Sequence, residues 1–144
     1  MTGTKPCVFL VAASRLMRET LPRLLNKKGD LNVCGVSASE RHVSSIVAAS
    51  GADVVILDSI TARYSDGTVL PKIITKVPNI KVVLIAMDDD PKISDRCVRP
   101  GALTCLPKDV GAAEVCSAVL AAARGHAVYK IRLDGTFSRT AVRG

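Results

Sequence analysis

Two charged side chains follow short apolar runs that are typical of buried strands. Asp58 comes directly after the run 54–57, and Lys108 follows the run 103–106. In an open parallel sheet the chemistry lies beyond the carboxyl ends of the strands, so we expect these two side chains at one edge. They could form an ion pair there, and the crevice beside Lys108 could also receive an anion.

The turn after the first apolar run has the composition Val11-Ala-Ala-Ser-Arg15. Dinucleotide-binding turns and phosphate-binding loops need glycines at this point, so that phosphate can approach the backbone. This turn has no glycine. Ala12 and Ala13 also offer no side-chain oxygen, so neither side chain can ligate a cation.

The composition is that of one aliphatic domain. The chain has 144 residues, 48% of them hydrophobic and only 3% aromatic, which gives enough apolar side chains for a core without a metal or disulfides. The five cysteines contain no Cys-x-x-Cys pair, which speaks against a zinc knuckle, and we expect them to be reduced. No apolar run is long enough to cross a bilayer, and we expect a cytoplasmic protein without membrane contact.

The net charge of +7 is concentrated towards the end of the chain, where residues 130–144 hold four basic residues and one acid. We interpret this segment as a basic tail or linker after a domain at residues 5–129. A basic balance can attract nucleic acid, but no zinc-finger or helix-turn-helix pattern is present. We therefore expect any contact with DNA to come only through a separate domain.

Apolar runs alternate with amphipathic stretches along the chain, which predicts five βα units and an α/β fold: a five-stranded parallel sheet with helices on both faces. Gly29, Gly51, Pro100-Gly101 and Gly125 end four of the helices. The predicted strands are 7–11, 32–36, 54–57, 81–86 and 103–106, and the predicted helices are 15–27, 40–50 with Ser39 as N-cap, 68–76, 90–99 with Asp90 as N-cap, and 112–124.

Four motifs in this order resemble the receiver domains of response regulators, especially the subgroup that precedes a LuxR-type (NarL-type) DNA-binding domain. They are the segments 11–19, 54–58, 100–102 and 106–109. The resemblance covers about residues 5–129 and implies a flavodoxin-like sheet with strand order 2-1-3-4-5. It also implies a signalling module of two-component systems that is not an enzyme.

The resemblance assigns roles to particular positions and shows where this chain departs from the family. Aspartyl phosphorylation needs a divalent cation that is held by two acids after the first strand. With alanines there, we expect Mg²⁺ binding to be weak or absent, no metal site, and phosphotransfer to be slow or absent. The implied positions are Asp58 for the phosphoacceptor, Lys108 and Ala86 for phosphate contact, Ala12 and Ala13 for the acid pair, and Cys105 for the switch aromatic.

The resemblance further implies an interaction face that is formed by the fourth helix, the fifth strand and the fifth helix. We expect a homodimer through this face, or contact with a protein partner or effector domain. The residues that we assign to the face are Ile93, Val98, Val110 and Ala113.

We therefore interpret the chain as an atypical receiver domain that acts by protein contact, without phosphorylation, and that controls transcription through an attached or partner effector. One alternative is a conventional receiver that a histidine kinase phosphorylates on Asp58. Another is a small-molecule or nucleotide-binding domain. The acidic loop 88–90 would border the same crevice and could supply ligands, although a solvated loop with a helix cap explains it more simply.

Overall fold

Five parallel strands form the central sheet of the computed structural model, in the order β2-β1-β3-β4-β5. This confirms the predicted fold class and strand order. The structure describes residues 5–38, 42–58, 69–85, 104–106, 110–125, 129–131 and 137–139. Its elements are β1 Cys7–Val11, α1 Arg15–Lys27, β2 Asn32–Ser37, α2 Val43–Ser50, β3 Val54–Asp58, α3 Val69–Lys76, β4 Lys81–Ile85, β5 Thr104–Leu106, α4 Ala112–Ala123, β6 Tyr129–Ile131 and β7 Phe137–Arg139.

The second helix begins later than the sequence predicts. α2 starts at Val43 with His42 as its N-cap, and the His42 side chain makes no capping hydrogen bond. Its first residue, Val43, is also its first buried side chain. Ser39 and Glu40 themselves lie outside the described residues, as does the predicted helix 90–99. α4 corresponds to the predicted fifth helix.

The sheet separates two apolar clusters, because successive side chains of a strand point to opposite faces. On one face α2 and α3 pack against Phe9 and Val11 of β1. On the other face α1 and α4 pack against Val8 and Leu10. β3 is buried along its whole length, as expected for a central strand that is covered on both faces.

The sheet is tied together where its strands begin. Asp53 precedes β3, and its backbone N–H donates to the carbonyl of Cys7 over 2.8 Å, while its carboxylate accepts from the Cys7 N–H over 2.9 Å. The carbonyl of Asp53 also accepts from the N–H of Lys81 over 3.0 Å. One residue therefore aligns β1, β3 and β4, and this register decides which residues meet at the opposite edge.

β1 and β2 pair with a one-residue irregularity. Val8 is opposite Val33, whereas Phe9 is opposite Gly35, so Cys34 is an additional residue on β2. The Phe9 ring occupies the space that a Cβ atom at position 35 would need. This close approach is the reason for glycine at this position of an edge strand.

The segment expected to be a tail contains two short strands. β6 and β7 pair in antiparallel register, with Lys130 opposite Ser138. β6 lies alongside β5, the last strand of the main sheet. Within the described ranges, no helix is long and apolar enough to cross a membrane.

Candidate functional site

Asp58 is the last residue of β3, at the carboxyl edge of the sheet. Strand β3 lies between β1 and β4, and Asp58 is paired in register with Ile85. Its exposed fraction is 0%, so the carboxylate is removed from bulk water. A buried carboxylate needs hydrogen-bond donors to compensate for its lost hydration.

One such donor comes from the turn after β1. The backbone N–H of Ala13 donates to Oδ2 of Asp58 over 2.7 Å, a length typical of a charge-assisted hydrogen bond. The turn is itself tied to β2, since the N–H of Ala12 donates to the carbonyl of Ser37 over 3.1 Å. A backbone donor therefore reaches the carboxylate from Ala13, one of the two positions that the resemblance assigns to acids.

Arg18 holds the same turn from its other side. Its Nη1 donates to the carbonyl oxygen of Ala12 over 2.7 Å and to that of Ala13 over 2.9 Å. The Ala12 carbonyl and the Ala13 N–H belong to one peptide group, so this group accepts from Arg18 and donates to Asp58. Hydrogen bonds in such a chain polarise one another, and the guanidinium strengthens the donor that Asp58 receives.

The helix that carries Arg18 begins directly after this turn. Ser14 is the N-cap of α1, and its hydroxyl accepts from the N–H of Met17 over 3.2 Å. The first turn of α1 contains no acid, although acids are favoured there by the helix dipole. Sequence reasoning did not identify Arg18, but a basic residue near a helix N-terminus is a signal that could have marked it.

The two alanines differ in their surroundings. Ala12 is fully buried and belongs to the apolar cluster of α1 and α4, whereas Ala13 is exposed. Among the residues that the structure describes, no group of three or more His, Cys, Asp or Glu side chains could hold a metal ion. On the β1 side of Asp58, the described residues Ala12 and Ala13 contribute only methyl groups and backbone.

Three of the other predicted site residues lie in described elements or beside them, and the rest do not. Val110 is partly buried and packs against the cluster of α1 and α4, so it is in part a core residue. Ala113 is exposed on α4. Cys105 is the middle residue of β5, and its side chain is not described. Ala86, Asp88, Asp89, Asp90, Ile93, Val98 and Lys108 lie outside the described residues.

The sequence matches the model of the response regulator receiver domain over residues 8–120. It is also 28% identical over 130 residues to an uncharacterized transcriptional regulatory protein, YxjL, from Bacillus subtilis. That alignment covers 90% of this chain and 60% of the relative. The chain thus spans less than two thirds of the length of this relative.

Solved structures of receiver domains have the same fold. The signal receiver domain of NarL from Mycobacterium tuberculosis is 28% identical with a TM-score of 0.73, and the match covers 85% of this chain and 99% of that one. The receiver domain of RcsB from Salmonella enterica, solved with a phosphomimetic, is 18% identical with a TM-score of 0.73 over 85% and 91% of the two chains. The response regulator domain of Thermotoga maritima CheB is 20% identical with a TM-score of 0.73 over 84% and 98%.

Proposed function

This chain belongs to the response regulator receiver domain family of two-component signalling, and we propose that it is a member that signals by protein contact without phosphorylation of Asp58. The observation that carries the proposal is the hydrogen bond from the Ala13 N–H to a carboxylate with no exposed surface. The proposal includes control of transcription through an attached or partner effector. The similarity of the chain to a transcriptional regulatory protein supports the proposed control of transcription.

Burial argues against Asp58 as a nucleophile. A phosphoryl donor must approach the attacking oxygen in line, which an atom without solvent-accessible surface does not permit. In addition, Oδ2 already accepts a short hydrogen bond that stabilises the carboxylate as it stands. Both features support a structural role for this residue.

The oxygen ligands that the described residues offer at this edge also do not fit Mg²⁺. This ion takes oxygen ligands in near-octahedral geometry and is bound through carboxylates in phosphoryl-transfer sites. Asp58 is the one acid among the described residues of this edge, while Ala12 and Ala13 supply methyl groups. A carboxylate at position 12 would have to lie in the apolar cluster that now contains Ala12.

The surface that we propose for protein contact includes the exposed residue Ala113 on α4. RcsB, which has the same fold at 19% identity and a TM-score of 0.70, has been solved as dimers bound to DNA. We extend dimer formation to this chain as part of the proposal. The expected result for Ala113→Glu is a shift from dimer to monomer in analytical ultracentrifugation, while Ala49→Glu, an exposed alanine of α2, leaves the dimer intact.

The deciding experiment is an NMR titration of the full chain with Mg²⁺ to about 10 mM, followed by beryllofluoride, which imitates a phosphoryl group on aspartate. The amide of Ala13 is the reporter, because it donates directly to Asp58. We expect no saturable shift at this amide. Saturable shifts centred on Ala13 would overturn the proposal and restore the conventional phosphoacceptor.

Asp58→Asn provides the matched control, because the amide oxygen can still accept from the Ala13 N–H but cannot be phosphorylated. Shifts that persist in this variant do not arise from the Asp58 carboxylate. If Asp58 has only a structural role, the variant also keeps the self-association of the wild type. If beryllofluoride changes the self-association of the wild type but not that of Asp58→Asn, this result would contradict a purely structural role.

A further inference from the structure

Two cysteine side chains come together where β1 and β2 begin. The additional residue on β2 is Cys34, and its thiol donates to the carbonyl oxygen of Val8, next to Cys7, over 3.5 Å. Cys7 is paired with Asn32, two residues before Cys34 on the neighbouring strand. The irregularity in β2 therefore brings the Cys34 side chain towards β1.

The surroundings of Cys34 place both thiols on the face that α2 covers. The Cys34 thiol interacts with the Cys7 thiol and with the hydroxyl of Ser50, the last residue of α2. Cys34 is exposed and Cys7 is half-buried, and both are free thiols. The two thiols are thus neighbours across β1 and β2, and the exposed Cys34 is accessible to small molecules.

We propose that Cys7 and Cys34 form a redox-active dithiol that a peroxide oxidises to an intramolecular disulfide. One thiol loses its proton and the thiolate attacks an oxygen of hydrogen peroxide. The O–O bond breaks, and the departing hydroxide takes up the proton, so that the products are a sulfenic acid and water. The second thiol then attacks the sulfenic sulfur, an S–S bond forms and a second water leaves. The two sulfur atoms together lose two electrons, and the peroxide gains them.

The surroundings of Cys34 set the rate at which its thiol reacts with peroxide. Partial burial of the thiol raises the pKa of Cys34, and the neighbouring Cys7 thiol raises it further. Because the thiolate is the nucleophile, oxidation is slow at neutral pH. The disulfide is thus a product of sustained peroxide exposure, and a thiol reductant reverses it.

The bond would fix the edge strand β2 to β1 and close a loop that contains all of α1. A cross-link of this kind lowers the entropy of the unfolded chain. For a domain of this size, we expect the thermal unfolding midpoint to rise by about 5 to 10 °C on oxidation and to return on reduction.

The test is to incubate the full chain with hydrogen peroxide, block free thiols, and identify cross-linked tryptic peptides by mass spectrometry. We expect the loss of two of the five thiols, a mass lower by that of two hydrogen atoms, and one linked pair of peptides, which contain Cys7 and Cys34. A different cysteine pair, cross-linked dimers alone, or unchanged thiols after overnight exposure would each overturn the proposal.

Cys116→Ser is the matched control, because it removes a buried free thiol on α4 that is not part of the pair. It should keep both the linked peptides and the oxidative rise in unfolding temperature. Cys34→Ser should lose both, and its circular dichroism spectrum verifies that the exposed edge position tolerates the change. A temperature rise that survives in Cys34→Ser would assign the effect to another oxidation and contradict the proposal.

Discussion

The backbone nitrogen of Ala13 lies 2.7 Å from Oδ2 of Asp58 and donates a hydrogen bond to it, so the turn after β1 contacts the candidate phosphoacceptor through its backbone. A side-chain carboxylate at this position would present negative charge to Asp58, whereas the backbone presents a donor. The same position can thus repel or stabilise Asp58, depending on which group of the residue faces it.

Ala13→Asp tests what the missing acid does. Because Ala13 is exposed, the new carboxylate can reach Asp58 without disrupting the core, and we expect it to lower the free energy of unfolding by about 1 kcal/mol through like-charge repulsion. Mg²⁺ at ten times its Kd should restore about 1.4 kcal/mol in the variant. Thermal unfolding with and without Mg²⁺, at matched ionic strength, measures both effects.

Ala49→Asp adds a carboxylate at an exposed site on α2 and should show no response to Mg²⁺. The wild type should show none either. An equal rise in unfolding temperature for wild type and Ala13→Asp would mean that other groups already hold the ion.

Arg18→Ala removes the donor that holds the turn. Two hydrogen bonds from a charged group to carbonyl oxygens are lost, and we expect the free energy of unfolding to fall by about 1 to 3 kcal/mol. Hydrogen exchange at the Ala13 amide should become faster, because the peptide group is no longer fixed from its carbonyl side. Urea unfolding followed by circular dichroism suits this chain, which has no tryptophan.

Arg15→Ala is the comparison within the same helix. The Arg15 side chain is 82% exposed and pairs with Glu19 over 3.1 Å, so its loss should cost no more than about 0.5 kcal/mol. Equal losses for the two variants would show that Arg18 acts only through the general charge of α1.

Thr104→Val should stabilise the protein. The Thr104 side chain in β5 is buried, and among the described residues its hydroxyl has no hydrogen-bond partner. Valine has nearly the same shape and no polar atom to desolvate, so we expect a gain of about 1 kcal/mol in the free energy of unfolding. Thr104→Ser keeps the hydroxyl and should lose stability; a loss for Thr104→Val would instead indicate a partner for the hydroxyl.

Gly35→Ala should destabilise the edge strand. A Cβ atom there would lie 2.7 Å from Cδ2 of Phe9, and we expect a loss of about 1 to 3 kcal/mol in urea unfolding. In the background Phe9→Leu the same change should cost less, because the ring is gone. Gly111→Ala meets only an ordinary contact with the Glu114 carboxylate, but Gly111 is the N-cap of α4, where alanine is disfavoured. We therefore expect it to cost about 1 kcal/mol whether residue 9 is Phe or Leu.

The sequence was sufficient to predict the strands and to place Asp58 at their carboxyl edge. β3 reads as a continuous apolar run that ends in an acid, and a buried parallel strand requires that pattern. Strand order 2-1-3-4-5 came from the resemblance to receivers, because strand order is a long-range property that local patterns do not encode.

Three features depended on backbone details that composition does not reveal. The role of Arg18 depends on the direction of two carbonyl groups in the turn. The position of Cys34 depends on a one-residue shift between β1 and β2. The start of α2 coincides with a buried side chain, Val43, and its N-cap His42 makes no side-chain hydrogen bond that a sequence pattern could have indicated.

The sheet's partition of the core has a consequence for how substitutions combine. Leu10 and Val11 are neighbours in the chain but belong to separate clusters, while Leu10 and Ala118 share one. Energetic coupling follows shared packing rather than distance along the chain. Compensating changes in this domain should therefore join residues on the same side of the sheet across long stretches of sequence, and adjacent strand positions should vary independently of each other.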